Sequence, residues 1–150
     1  MEERVRDYLE RNRSAAMITL RPDGTPHAVR VGVALVDGKL WSSGVPTRVR
    51  TRNLRRDPRS TLFVFGADGP TSSWSWLTLE ATVTILDGPD APEQSVRLFR
   101  VMQSGLEPAP PPGRLLWNGQ EKSEEEFRRI MRDEQRLIYE FEVQHTYGTF

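Results

Sequence analysis

Residues 15–38 read AAMITLRPDGTPHAVRVGVALVDG, two apolar runs separated by Pro22-Asp23-Gly24 and closed by Asp37-Gly38. Apolar runs that stop at Asp-Gly and resume beyond it mark antiparallel strands joined by tight turns. In the second run, Pro26 to Val36, the residues His27, Val29, Val31, Val33 and Leu35 share one face by period-2 alternation. Ala28, Arg30, Gly32 and Ala34 share the other, a face of small residues that carries one charge and where Gly32 leaves space. The chain therefore opens as a β-meander, and the rest of it extends a sheet or packs on one.

Ahead of the meander, Glu2 to Arg11 predicts an amphipathic helix with Val5, Tyr8 and Leu9 on one stripe. Lys39 to Ser43 reads as a third strand, Thr47 to Arg56 as a helix, Ser60 to Phe65 as a fourth strand and Asp68-Gly69-Pro70 as a loop. Trp74 to Leu86 alternates over a long strand, with Leu77, Leu79, Ala81, Val83 and Ile85 facing a core. Its other face holds Trp74, Trp76, Thr78, Glu80, Thr82 and Thr84. Two tryptophans on a polar strand face point to a ligand or a second subunit, with core or dimer packing as the evenly weighted alternative to a ligand. Asp90 to Ser104 predicts a helix with Asp90 as cap, Pro92 in its first turn, and Leu98, Val101 and Met102 buried. Gly105 to Gly113 is a Pro-rich connector; a lid is the sharper reading of residues 106–113 and a stiff surface link the plainer one. Ser123-Glu124-Glu125-Glu126 is a capping box opening a helix to Asp133, with Phe127, Ile130 and Met131 inward, and Leu137 to Val143 is a last strand. Short strands in meander order with few helices predict a mainly β chain, a small antiparallel barrel with peripheral helices, in one domain.

Composition narrows the chemistry. The 150 residues include no cysteine, which excludes disulfides and thiolate nucleophiles. His27 and His145 are the only histidines and stand in no metal-ligand spacing, so no protein-held metal is expected. Lys39 and Lys122 are the only lysines among 21 basic residues, which leaves Schiff-base chemistry almost no candidates. No segment has the apolar length of a leader or a membrane span, so the expected location is the cytoplasm, away from membranes.

Against a formal net charge of zero, Trp41 to Arg59, WSSGVPTRVRTRNLRRDPR, gathers six arginines. Such a local excess marks an anionic partner or a solvated basic face. At 100° per residue Arg48, Arg52, Arg55, Arg56 and Arg59 fall within roughly a third of a helix circumference, with Arg50 opposite beside Leu54. A solvated face accounts for Arg52, Arg55 and Arg56. Arg48 and Arg50 are different, because they follow Thr47 in the first turn, where the helix dipole disfavours cations by about 0.3–1 kcal/mol. Thr47, two guanidinium forks and the free amides of a helix start resemble a phosphate or carboxylate cradle, with Ser42, Ser43 and Gly44 just ahead of it. Nucleic acid is a poor match for this charge. The segment Glu121 to Glu142 holds eight acidic against five basic residues, so positive charge is confined to one place, which suits a small anion.

The arginine block, the strand SSWSWLTLEATVTIL and the ending Tyr147-Gly148 together resemble the split β-barrel flavin and deazaflavin oxidoreductases, the pyridoxamine 5'-phosphate oxidase-like superfamily. The resemblance covers most of the chain. Its TRxRxRNLRRDPR block is most similar to the branch using the deazaflavin coenzyme F420, found chiefly in actinobacteria, and the arginine-rich composition resembles proteins of that group. What this implies is an FMN-binding split-barrel fold and a homodimer with two cofactor sites at its interface. It also implies phosphate or tail contacts at Ser42, Ser43, Arg48, Arg50 and Asn53, and Trp74 near the ring or substrate. Relatives often carry lysine at the position of Arg50 and glycine at that of Ala81. The C-terminal substrate motif of true pyridoxamine phosphate oxidases is absent, which points away from that activity.

The implied reaction is hydride transfer from reduced F420 to a small electron-poor or conjugated acceptor, with the protein positioning the two and excluding water. FMN-dependent chemistry on the same fold, or a carrier that binds the cofactor without turnover, are the alternatives. No catalytic dyad is expected. His27 is a candidate proton donor, though on an apolar strand face a packed structural histidine is the plainer reading. Glu80 is a candidate acid or an interface ion-pair partner. Arg30 is a candidate contact to cofactor or partner subunit.

Overall fold

The meander folds as β1 (Ser14–Leu20) and β2 (Pro26–Gly32), antiparallel about a turn in which Gly24 has a φ of 85°. The structure, a computed structural model, describes residues 1–66 and 74–150, so the loop expected at Asp68-Gly69-Pro70 lies outside the described residues. The run Pro26 to Val36 is not one strand. It breaks at Val33 and continues as β3 (Ala34–Val36), which pairs with β4 (Lys39–Gly44) across Asp37-Gly38. The remaining elements are α1 (Glu3–Arg11), α2 (Val49–Arg56), β5 (Arg59–Phe65), β6 (Trp76–Leu86), α3 (Ala91–Gln103), β7 (Arg114–Trp117), β8 (Gln120–Ser123), α4 (Glu124–Asp133) and β9 (Leu137–Thr149).

The break at Val33 has a topological cause. The seven-stranded sheet runs β2-β1-β5-β6-β9-β4-β3, so its two edge strands are consecutive in the chain. One run leaves β1 and joins β4, and the sheet curls until its edges meet. The Ser42 hydroxyl crosses the seam by donating to the Gly32 carbonyl at 2.7 Å, and Val33 N–H extends the β1–β2 ladder by donating to Arg13 O at 2.8 Å. The architecture is the expected split antiparallel barrel with peripheral helices.

Strand phases place the cores. Met17, Leu62, Leu77, Leu79 and Tyr139 fill the interior, and α1 closes one end with Val5, Tyr8 and Leu9. Ala34, Val36, Trp41 and Ile138 face the other way and are covered by Leu98 of α3. The space expected at Gly32 is taken by Met102 of α3, whose methyl group occupies the volume a Cβ would need. A third cluster, Val96, Leu115, Phe127 and Met131, joins α3, α4 and the β7-β8 hairpin. That hairpin turns at Asn118-Gly119, both at positive φ, a turn signal not used in the sequence reading. Ser123 caps α4 as predicted, accepting from Glu126 N–H at 3.1 Å, whereas Asp90 stands at the start of α3 without a side-chain cap bond. Gln103 exchanges two bonds with the backbone of Leu116, at 2.9 and 2.8 Å, which pins the far side of the Pro-rich connector.

The last strand runs past Val143 to Thr149. Glu80 pairs with His145 and Ala81 with Val143, so Gln144 is an extra, bulged residue. The bulge inverts the alternation: Tyr139, Phe141 and Val143 face the core, but His145 and Tyr147 face outward. A pattern reading therefore loses the strand at Gln144.

Candidate functional site

The arginine block straddles the end of β4 and the start of α2. Val45 and Pro46 lead into a turn in which Arg48 N–H donates to Val45 O, and the helix begins at Val49 with Arg48, not Thr47, at its cap position. Thr47 is exposed ahead of the helix and makes no cap bond. The first turn holds no acidic residue, so Arg48 and Arg50 do face the positive end of the dipole. Among the described residues, the Val49 and Arg50 N–H groups have no bonding partner.

Arg50 is the best-positioned of the six. It lies half-buried over the Tyr139 ring, with its guanidinium carbon 5.7 Å from the ring centroid, and one Nη donates to Ser43 O at 3.4 Å. Tyr139 is fixed from beneath. Its hydroxyl is bonded to Thr51, Thr51 donates to Val45 O at 2.7 Å, and the ring fits because position 44 is glycine, where a Cβ would overlap it. Within this frame two buried polar atoms lack partners among the described residues: Arg50 Nε and Ser43 Oγ. A buried donor left unpaired costs about 1–3 kcal/mol, so a guanidinium N–H and a hydroxyl left open beside a helix start form a donor set suited to an anion.

The other expected contacts separate from this pair. Ser42 points inward and holds the barrel seam. Asn53, 3% exposed, donates to Thr19 Oγ1 at 3.0 Å and accepts from Arg56 at 3.4 Å, so its amide is committed to the interior. Arg48 and Arg52 are exposed and make no ion pair among the described residues. Arg55 pairs with Asp87 at 2.8 Å, and Arg59, on β5 and not on the helix, pairs with Asp57 at 2.7 Å. Arg59 donates from both side chain and backbone to Asp57, which lowers that carboxyl to about 2. His27 lies beside Thr19 with a buried Nδ1 that has no partner among the described residues.

On the outward face of β5, β6 and β9 the structure adds what the sequence reading only half saw. Phe63 stacks on Trp76 at 5.7 Å, Phe65 lies 6.0 Å from Phe63, and Tyr147 meets Trp76 edge-on at 6.2 Å. Together they seal Thr78, which is 5% exposed although it faces outward. Trp74 does not join the strand; it precedes β6 and is 85% exposed. Glu80 is exposed opposite His145 on the same face. Phe63 and Phe65 escaped notice because their alternation was read only as a strand signal.

Across residues 1–145 the sequence matches the family model described as pyridoxamine 5'-phosphate oxidase. The chain belongs to that family. Its fold is shared by solved structures of low sequence identity. A conserved hypothetical protein from Mycobacterium tuberculosis is similar at a TM-score of 0.71 and 22% identity, over 99% of this chain and 84% of that one. An F420 reductase aligns at 0.65 and 20% identity, over 98% of each chain. A FAD-binding protein from Mesorhizobium loti aligns at 0.63 and 16% identity, over 97% and 89%. At these identities the likeness is one of fold. In this member of the pyridoxamine 5'-phosphate oxidase family, no described helix is long and apolar enough to cross a membrane.

Proposed function

We propose that the protein is an F420H2-dependent reductase of a small electron-poor or conjugated acceptor. The observation that carries this reading is the open donor set at the β4–α2 junction, Arg50 Nε and Ser43 Oγ, buried and unpaired at a helix start without a carboxylate. Arg50 and Ser43, with the Val49 and Arg50 amides, hold the cofactor's phosphate. Arg48, at the exposed rim, attracts its acidic tail. The bound deazaflavin supplies a hydride; the protein orients it, and the aromatic face excludes water. The functional unit is a homodimer with a cofactor site at each interface, the outward sheet face being the surface left for a second subunit and the acceptor.

Titration of the purified protein with the deazaflavin, followed by its fluorescence, tests the reading. Micromolar binding that weakens in Arg48→Ala and Arg50→Ala supports it. Tight FMN uptake without deazaflavin binding overturns it in favour of an FMN enzyme. Deazaflavin binding without hydride transfer to any of a panel of quinones, enones and linear tetrapyrroles overturns the enzyme and leaves a carrier.

A further inference from the structure

We infer that the outward face of β2, β1 and β5 binds a planar conjugated carboxylate, with Arg30 holding the carboxylate and Phe63 and Trp76 walling the ring system. The inference deepens the acceptor named above, and its catalytic meaning rests on that reading.

Strand register lays the site out. Arg30 is opposite Ala16, and Ala16 is opposite Phe63, so the three form one row across neighbouring strands. At about 4.8 Å per strand, Arg30 and Phe63 stand roughly 10 Å apart along the row, about the length of two fused rings and a carboxylate. Ala16 between them is a low floor. Phe63 is 36% exposed and stacked on Trp76, so a flat ring lying on Ala16 meets an aromatic wall already assembled.

The charge at the other end is poised for an anion. Arg30 donates Nε to Ser14 Oγ at 2.9 Å, which fixes the guanidinium while both Nη groups have no bonding partner among the described residues, the end-on fork that matches a carboxylate. Arg13 adds a second positive charge beside it, anchored to the Val101 and Met102 carbonyls at the end of α3. Arg13, Ser14 and Arg30 line one shallow depression of about 520 Å³. Neither arginine has a carboxylate partner among the described residues, although nine ion pairs are formed elsewhere among them. Two unpaired cations beside an exposed aromatic stack select a ligand that is both flat and acidic.

Calorimetric titration of the intact protein with 2-naphthoate and its neutral isostere 2-naphthamide tests this. Naphthoate is expected to bind at least about tenfold more tightly, the margin of one charge-assisted hydrogen-bonded pair. Arg30→Met is expected to erase that preference while leaving naphthamide affinity unchanged, and Phe63→Ala to weaken both ligands alike. Equal affinities, no binding of either, or an unchanged preference in Arg30→Met overturns the inference. Arg50→Ala is expected to leave naphthoate binding intact; if it removes the preference, the two sites are one and the inference falls. Failure of the deazaflavin titration with the naphthoate preference retained removes the cofactor reading alone.

Discussion

Arginine is used in two opposite ways in this molecule. In the lobe built from α3, α4 and the β7-β8 hairpin, Arg97, Arg100, Arg114, Arg128 and Arg136 pair with carboxylates, on Asp37, Glu124, Glu121, Glu93 and Glu134 respectively, while Arg129 and Arg132 on α4 make no ion pair among the described residues. Along Trp41 to Arg56 there is no acidic residue at all, and Arg48, Arg50 and Arg52 form no ion pair among the described residues. The first set ties surfaces together at small individual gain. In the second, Arg48 and Arg50 sit at a helix start where the dipole disfavours cations, the arrangement on which the proposed anion site rests. What sets Arg48 and Arg50 apart is their place at a helix start without a carboxylate, and not the total number of arginines.

The largest expected effect tests whether the unpaired set is held in place by the fold. Gly44→Ala drives a methyl group into the Tyr139 ring and disrupts its bond to Thr51, and is expected to cost about 3 kcal/mol in urea unfolding and to weaken deazaflavin binding. Wild-type stability in that variant would remove Tyr139 as the support of Arg50. Arg50→Ala is next. It is expected to weaken deazaflavin binding about 10- to 100-fold, the loss of one or two charge-assisted bonds, with the unfolding midpoint unchanged or slightly raised. A drop in stability without a change in affinity would place Arg50 with the stitching arginines.

Arg128→Ala is the counterpart in the other region. It is expected to cost about 0.2–1 kcal/mol of stability and nothing in cofactor affinity. It also frees Glu93, whose carboxyl Arg128 holds below its ordinary value, so the variant's Glu93 titrates at higher pH by carboxyl NMR. The smallest effect is local to Asp57. Its lowered value means that its stabilising contribution is complete above the ordinary 3.8 and is lost as pH falls through about 2. Arg59→Ala is expected to move the Asp57 midpoint upward, only part of the way, because the backbone N–H of residue 59 still donates to it. An unmoved midpoint would show that Arg59 does not set it.

Much of the fold was legible because it rests on short-range pattern. The α1 stripe, the Leu77–Ile85 face and the Ser123 capping box involve residues within one element, and the structure reproduces each. The misreadings have a shared origin in distant partners. Val33 interrupts a regular alternation because β3 must reach β4, and β9 appeared to end at Val143 because the bulge at Gln144 reverses its phase. The sequence pattern makes Thr47 the first residue of the helix, but the Val45–Arg48 turn holds it ahead of a helix that begins at Val49. Within the site, Arg50 and Ser43 were legible as a dipole violation next to hydroxyls. The commitment of Ser42 and Asn53 to the interior was not, since their partners, Gly32 and Thr19, lie 10 and 34 residues away.

Read alone, the chain dictates its strand phases, its turns, the helix stripes and a cationic stretch devoid of acids, all consequences of neighbours along the backbone. Which arginines find carboxylates is a different matter. So is the platform under Arg50, where Tyr139 reaches Thr51 across 88 residues, and the row that sets Arg30 and Phe63 on either side of Ala16. Those belong to the closed sheet, because only its curvature and register bring distant side chains within bonding range and leave a few of them unpaired.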